Sequence, residues 1–262
     1  MFNIFKKQKK KEISDDLSEN SRKNKPIKTE FEKSVALADL GNVVESAHVG
    51  VCYHFGIDQG DEEHPPGLTP NPQLAIKYLT SAAEKGYLKA QAELASIYFD
   101  KDFDTFDTSK GFEWFLIAAK RGDPFSQCIV GFGYKNGDLI QKDENKAYHW
   151  FLEAASNGDK EAMSELGRIY SEKNSSLLNK DGVTEEEIKN SWSDAELSFK
   201  WYKKAADLGC VDAMYFTGVY YSCGYGTDIN KELSLKYLNN AIENGSEIAA
   251  EFITEHFATE VQ

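Results

Sequence analysis

Residues 130–158 read VGFGYKNGDLIQKDENKAYHWFLEAASNG, and this stretch decides the fold. It holds two helical patterns separated by a turn. Val130 and Tyr134 lie four residues apart, on one face of a 3.6-residue helix. Gly131, beside Val130, removes a side chain there, so a neighbouring helix can approach closely. In the second pattern Trp150, Ala154 and Ala155 fall at i, i+4 and i+5, which sets one large residue against small ones. Asp143 stands fifteen residues before Gly158. Aspartate is a favoured N-cap, and glycine suits the left-handed residue that closes a helix. The stretch predicts a helix pair, A then B.

The same pair recurs along the chain. The closing glycine follows an Ala-Ala pair at Gly86, Gly122, Gly158 and Gly209, and a weaker Ala241-Ile242 pair at Gly245, with steps of 36, 36, 51 and 36 residues. An aromatic residue stands eight before each: Tyr78, Trp114, Trp150, Trp201 and Tyr237. N-cap candidates stand fifteen before each: Asn71, Asp107, Asp143, Asp194 and Asn230. The helix A signature recurs as Val49-Gly50 with Tyr53, Leu94-Ala95 with Tyr98, Leu166-Gly167 with Tyr170, and Thr217-Gly218 with Tyr221. Each B-to-A junction keeps the same length. The extra residues of repeats one and four therefore lie between helix A and helix B, at 57–72 and 171–194. The second insertion carries Thr184-x-x-Glu187, a capping box that predicts a short helix at 185–192, with Trp192 docked against the array.

Composition narrows the function classes. The 262 residues carry a net charge of −13 and are 41% hydrophobic, which argues against global disorder and against nucleic acid as the main partner. No run approaches the roughly 18 apolar residues of a membrane span. Residues 1–28 hold nine basic and four acidic residues, so a basic, disordered tail precedes a body of charge −18. Its Met1-Phe2-Asn3-Ile4-Phe5 and the lysines after it could anchor weakly to anionic lipid, but a solvated tail is the expectation. Cys52, Cys128, Cys210 and Cys223 form no CxxC pair. Together with the lack of a signal-peptide pattern, this predicts a cytoplasmic protein with reduced thiols. His48 and His54 are six apart, a poor spacing for one metal. The acidic segment from Asp58 to His64 reads as a solvated loop, and Gly224-Tyr225-Gly226 as a turn and not a phosphate loop. No catalytic, metal or cofactor residue is assigned.

The combined pattern of Ala-x-x-x-Leu-Gly-x-x-Tyr-x-x-Gly, a loop, and Asp-x-x-Lys-Ala-x-x-Trp-Phe-x-x-Ala-Ala-x-x-Gly resembles the Sel-one-like repeat, a relative of the tetratricopeptide repeat. Repeat three matches it through Val130-Gly131, Tyr134, Gly137, Asp143, Lys146-Ala147, Trp150-Phe151, Ala154-Ala155 and Gly158. Repeat two departs, with Ala95 for glycine. The resemblance implies an all-α, right-handed α/α superhelix of about five helix pairs over residues 29–262, with capping half-repeats at 29–41 and 246–259. It implies binding of proteins or peptides, and no catalysis. In such arrays helix A lines the concave surface.

Opposite the Leu and Tyr face, that surface would present Val51, Ser96, Phe132, Arg168 and Val219. His48, Glu93, Ile129, Glu165 and Phe216 flank them on one side, and Phe55, Asp100, Asn136, Glu172 and Cys223 on the other. This face varies between repeats and mixes apolar, acidic and basic residues, as a partner-reading face would. The expected partner is a basic protein or peptide, and the chain could serve as a bacterial immunity or regulatory protein blocking a basic toxin. A repeat-scaffold hydrolase and a membrane adaptor using residues 1–28 are the alternatives.

Overall fold

The computed structural model describes residues 27–57, 68–178 and 184–257. The expectations for residues 1–26 and for the acidic loop 58–67 lie outside the described residues. Among the described residues the chain forms twelve α-helices. They are α1 (Ile27–Asp39), α2 (Val43–Phe55), α3 (Pro72–Glu84), α4 (Leu88–Tyr98), α5 (Thr108–Lys120) and α6 (Pro124–Asn136). Then follow α7 (Glu144–Ser156), α8 (Lys160–Leu178), α9 (Glu185–Asp207), α10 (Val211–Cys223), α11 (Lys231–Glu243) and α12 (Glu247–Phe257). Helices α2, α4, α6, α8 and α10 are the A helices, and α3, α5, α7, α9 and α11 the B helices. The chain divides into two compact units, one ending at Asp123 and one beginning at Pro124.

The glycines work as their positions require. Gly86, Gly122, Gly158, Gly209 and Gly245 all have φ between +82° and +93°, the left-handed region that ends a helix. The A-helix glycines serve close packing instead. A Cβ on Gly131 would come within 2.7 Å of the Phe151 ring, and one on Gly167 within 2.8 Å of Tyr202. Repeat two solves the same problem from the other side. It has Ala95 on helix A, and the missing side chain has moved to Gly111 on helix B, which faces Phe99 and the Ala95 carbonyl.

The core lies between A and B helices within each unit. Leu79, Leu94 and Ile97 are fully buried in the first unit; Phe151, Leu166, Tyr202 and Leu238 are buried in the second. The aromatic stripe divides. Tyr78 and Tyr237 are buried, and each stacks on the helix A tyrosine of its own repeat, Tyr53 at 6.0 Å and Tyr221 at 6.0 Å. Trp114, Trp150 and Trp201 are only half-buried; the next residue, Phe115, Phe151 or Tyr202, fills the core. Adjacent repeats are also tied by polar bonds. The Tyr78 hydroxyl donates to Asp39 (3.0 Å) and the Tyr237 hydroxyl to Asp207 (2.6 Å). Lys85 donates to the Gly41 carbonyl and Arg121 to the Gly86 carbonyl, placing cations at helix C-termini.

Four of the five B-helix caps are as expected. Asn71, Asp107, Asp143 and Asn230 accept from the backbone N–H three residues on. Asp194 does not cap. The capping box at Thr184 and Glu187 starts α9 there, and the predicted short helix runs on without a break into helix B, ending at Asp207. Asp194 is thus interior, 5% exposed and paired with Lys173 at 2.9 Å. Trp192 is 67% exposed, so it does not dock against the array. The far end is closed by α12, with Ala249 buried, Ile253 and Phe257 packed on the core, and Glu251 and Glu255 exposed.

Candidate functional site

In the first unit, His48, Val51 and Phe55 on α2 are half-buried, and Glu93 and Ser96 on α4 are buried. Ser96 spends its hydroxyl on the Ala92 carbonyl of its own helix (3.0 Å). Glu93 faces a residue outside the predicted set, His54, whose Nδ1 lies 3.7 Å from the Glu93 carboxylate. Asp100 lies 3.9 Å from the opposite nitrogen, Nε2. One carboxylate on each side of the ring is a core arrangement, since no single ion could touch both carboxylates and the ring nitrogens. The six-residue separation from His48 therefore gave no clue to the role of His54, because its partners come from another helix and the turn after it.

The second unit brings more of the predicted residues together. Phe132 on α6 is 9% exposed and packs edge-on against Phe151, with ring centroids 5.0 Å apart. Ile129 on the same helix is half-buried. Phe216 and Val219 on α10 are half-buried, and the Phe216 ring stacks on Tyr202 at 4.8 Å. Glu165 and Arg168 on α8 form the charged centre. Glu165 Oε2 accepts from Lys135 Nζ (2.8 Å), Arg168 Nε (3.0 Å) and Arg168 Nη2 (2.8 Å). One carboxylate oxygen thus serves two cations. Arg168 Nη1 donates onward to Glu172.

Beside this centre opens a groove of about 710 Å³, within the size range of ligand sites. Lys135 and Asn136 of α6, Ala147, Tyr148 and Phe151 of α7, and Arg168, Tyr170, Glu172 and Lys173 of α8 line it, with the exposed ion pair of Lys142 and Glu144 (2.9 Å). The Tyr148 and Tyr170 hydroxyls are 2.8 Å apart, and burial with this bond pushes the Tyr170 phenol up to about 12. The Tyr170 phenol therefore stays neutral at physiological pH, and the two rings make an aromatic wall with a polar edge. Of the predicted central residues Arg168 lines the groove, together with the flanking Asn136 and Glu172. Lys135, Tyr148 and Lys173 were missed. Tyr148 lies on a B helix, and Lys135 and Lys173 lie one residue off the predicted face, where long side chains reach round it.

Among the described residues no group of three His, Cys, Asp or Glu side chains could hold a metal ion, and no helix is long and apolar enough to cross a membrane. The four cysteines are free thiols, with Cys52, Cys128 and Cys210 buried and Cys223 exposed.

Paired helices with a conformationally fixed glycine at each closure define an all-α helical-repeat fold. The chain belongs to the Sel1 repeat family, which it matches over residues 36–87, 88–123, 124–159, 191–210 and 211–246. A Sel1 repeat protein from Oxalobacter formigenes superposes with a TM-score of 0.67 at 22% identity, over 86% of this chain and 59% of that one. Protein c5321, a protective antigen of uropathogenic Escherichia coli with the same repeat fold, gives a TM-score of 0.51 at 22% identity, over 88% of this chain and 53% of that one. This chain thus spans between half and two-thirds of the length of each. No curated protein matches its sequence. At these identities the likeness concerns the fold.

Proposed function

We propose that this chain is a non-catalytic protein-interaction module that grips a partner protein or peptide on its helix A face, with the α6–α8 groove as the principal contact. Sel1 repeat proteins are generally interaction scaffolds, which supports the class. The observation that carries the site is the groove itself. It combines an aromatic wall, a fixed charged centre and exposed rim charges, the mixture that orients a partner and excludes water around a few contacts. The net charge of −13 favours a partner that is basic overall, drawn in by the long-range field, and an inhibitory role against such a protein is the specialisation this favours. The remaining predicted residues, His48, Val51, Phe55, Glu93, Ser96, Ile129, Phe132, Phe216 and Val219, would then act mainly as packing that holds the face in shape.

The test is a pull-down from cells of the source organism with wild-type chain and with Lys142→Glu and Glu172→Lys variants. Both positions are solvent-exposed rim sites, so their helical circular dichroism should match wild type. Loss of a specific partner from both variants is the expected result. Recovery of every partner by both would remove the groove as the contact.

A further inference from the structure

Helix α12 carries Glu247, Glu251 and Glu255 and no lysine or arginine. All three are exposed, as is Glu243 at the end of α11, and among the described residues none of the four makes an ion pair. Elsewhere surface carboxylates stand beside lysines three or four residues away, Asp107 with Lys110, Asp143 with Lys146, Glu196 with Lys200 and Asp207 with Lys203. Like charges four residues apart repel, and an acid in the last turn, as Glu255 is, opposes the helix dipole. The α12 stripe therefore costs its own helix stability, and no neighbouring cation offsets it. An apolar edge runs beside the stripe, since helical spacing sets Ile248 and Phe252 next to Glu251 and Glu255. Ile248 is 59% exposed. Phe252 is half-buried, meets Tyr215 of α10 edge-on at 6.1 Å and stacks on His256 at 4.2 Å.

One segment of this chain has the complementary character. Residues 1–11, MFNIFKKQKKK, hold Phe2, Ile4 and Phe5, then Lys6, Lys7, Lys9, Lys10 and Lys11, and no acidic residue. We propose that the α12 face is the docking site for residues 1–11 of a second copy of this chain. The apolar residues of the segment cover Ile248 and Phe252, and its lysines neutralise Glu247, Glu251 and Glu255. The segment leads into the first unit and the face belongs to the second, so docking between copies requires no particular arrangement of the two units. Segment and face are different surfaces, which makes the contact heterologous: each docked copy still offers one of them, and copies join head to tail. The α6–α8 groove takes no part, so the fate of the pull-down leaves this contact untouched.

Analytical ultracentrifugation of the full chain tests this. At low salt the weight-average mass is expected to rise with protein concentration, and the rise should fade as added salt screens the lysines from the carboxylates. A chain with Glu251→Lys and Glu255→Lys should stay monomeric, and so should one with Lys6→Glu, Lys7→Glu and Lys10→Glu. Mixing the two reversed chains should restore association, because each supplies the charge that the other needs. Glu84→Lys with Glu113→Lys makes the same change of charge at exposed sites of the first unit and should leave the rise in place. In fluorescence anisotropy, a fluorescein-labelled peptide of residues 1–11 should bind the full chain. Glu251→Gln with Glu255→Gln should weaken it about fivefold, the loss of two exposed pairs, and Ile248→Ser about threefold. A mass constant with concentration, a monomeric mixture of the reversed chains, or an equal loss in the first-unit control would each overturn the proposal. Peptide binding by a chain that stays monomeric at every concentration would place the segment on its own chain and overturn it as well.

Discussion

Gly131 and Gly167 show how much of the packing rests on single missing side chains. Each faces a buried aromatic ring of the paired helix, and an added methyl would fall 2.7–2.8 Å from it. Phe151 and Tyr202 are fully buried and cannot swing aside. Gly131→Ala and Gly167→Ala are therefore each expected to destabilise the second unit by about 1–3 kcal/mol, the usual cost of overpacking. A fall in the urea midpoint at unchanged slope would show it; a midpoint equal to wild type would mean that the helices separate freely. The residue scale also holds a misreading. Spacing marked Asp194 as a cap because the period places it there, yet an earlier and stronger start signal at Thr184 puts it inside α9. A cap depends on where the helix begins, and an insertion can move that point without changing the repeat.

At the scale of the helix, the B-helix starts make a pH-dependent contribution. The backbone N–H of Lys146 beside Asp143 holds that carboxyl below its ordinary value of 3.8, and the N–H of Lys110 does the same for Asp107. A depressed folded-state value means stability that is present above about pH 4 and lost as pH falls through the folded value. Asp143→Asn keeps the capping oxygen and removes the titration. Its melting temperature should lie close to wild type at pH 7 and fall less steeply between pH 5 and pH 3. Asp143→Ala should melt lower than both at pH 7. Identical slopes for the wild type and Asp143→Asn would contradict the assignment. The element scale also explains the departure in repeat two. Ala95 looked like a lost signature, but Gly111 supplies the gap from the facing helix. Pairwise packing conserves the space between helices, and either helix can provide it.

For the whole molecule, the two units each carry a buried core, and the groove lies wholly within the second. The insertion of repeat four belongs to that unit's framework. Asn174 donates to the Tyr225 hydroxyl (2.6 Å) and accepts from Ser191, Lys173 pairs with Asp194, and a side chain on Gly226 would overlap the Ala195 carbonyl. Repeat arrays draw stability from neighbouring contacts, so a block of them can fold alone. Residues 124–262 expressed by themselves are expected to be helical and to unfold cooperatively. A fragment without a cooperative transition would show that its core needs the preceding repeats.

The sequence by itself determined the repeat, the helix pairs, the closing glycines and most of the caps. These depend on residues near one another in the chain, where helical periodicity and local hydrogen bonds leave a legible pattern. It also placed Arg168, Asn136 and Glu172 on one face, and all three line the α6–α8 groove, because helix geometry alone orients them. Only the tertiary structure decided that Glu93 and Ser96 are buried, that His54 sits between two carboxylates, and that Lys135 and Arg168 share Glu165. It likewise decided that Trp192 stays exposed. Those outcomes depend on which side chains of separate helices meet, and on how far long side chains reach. Helical spacing specifies a direction from one axis and carries no information on what stands opposite it.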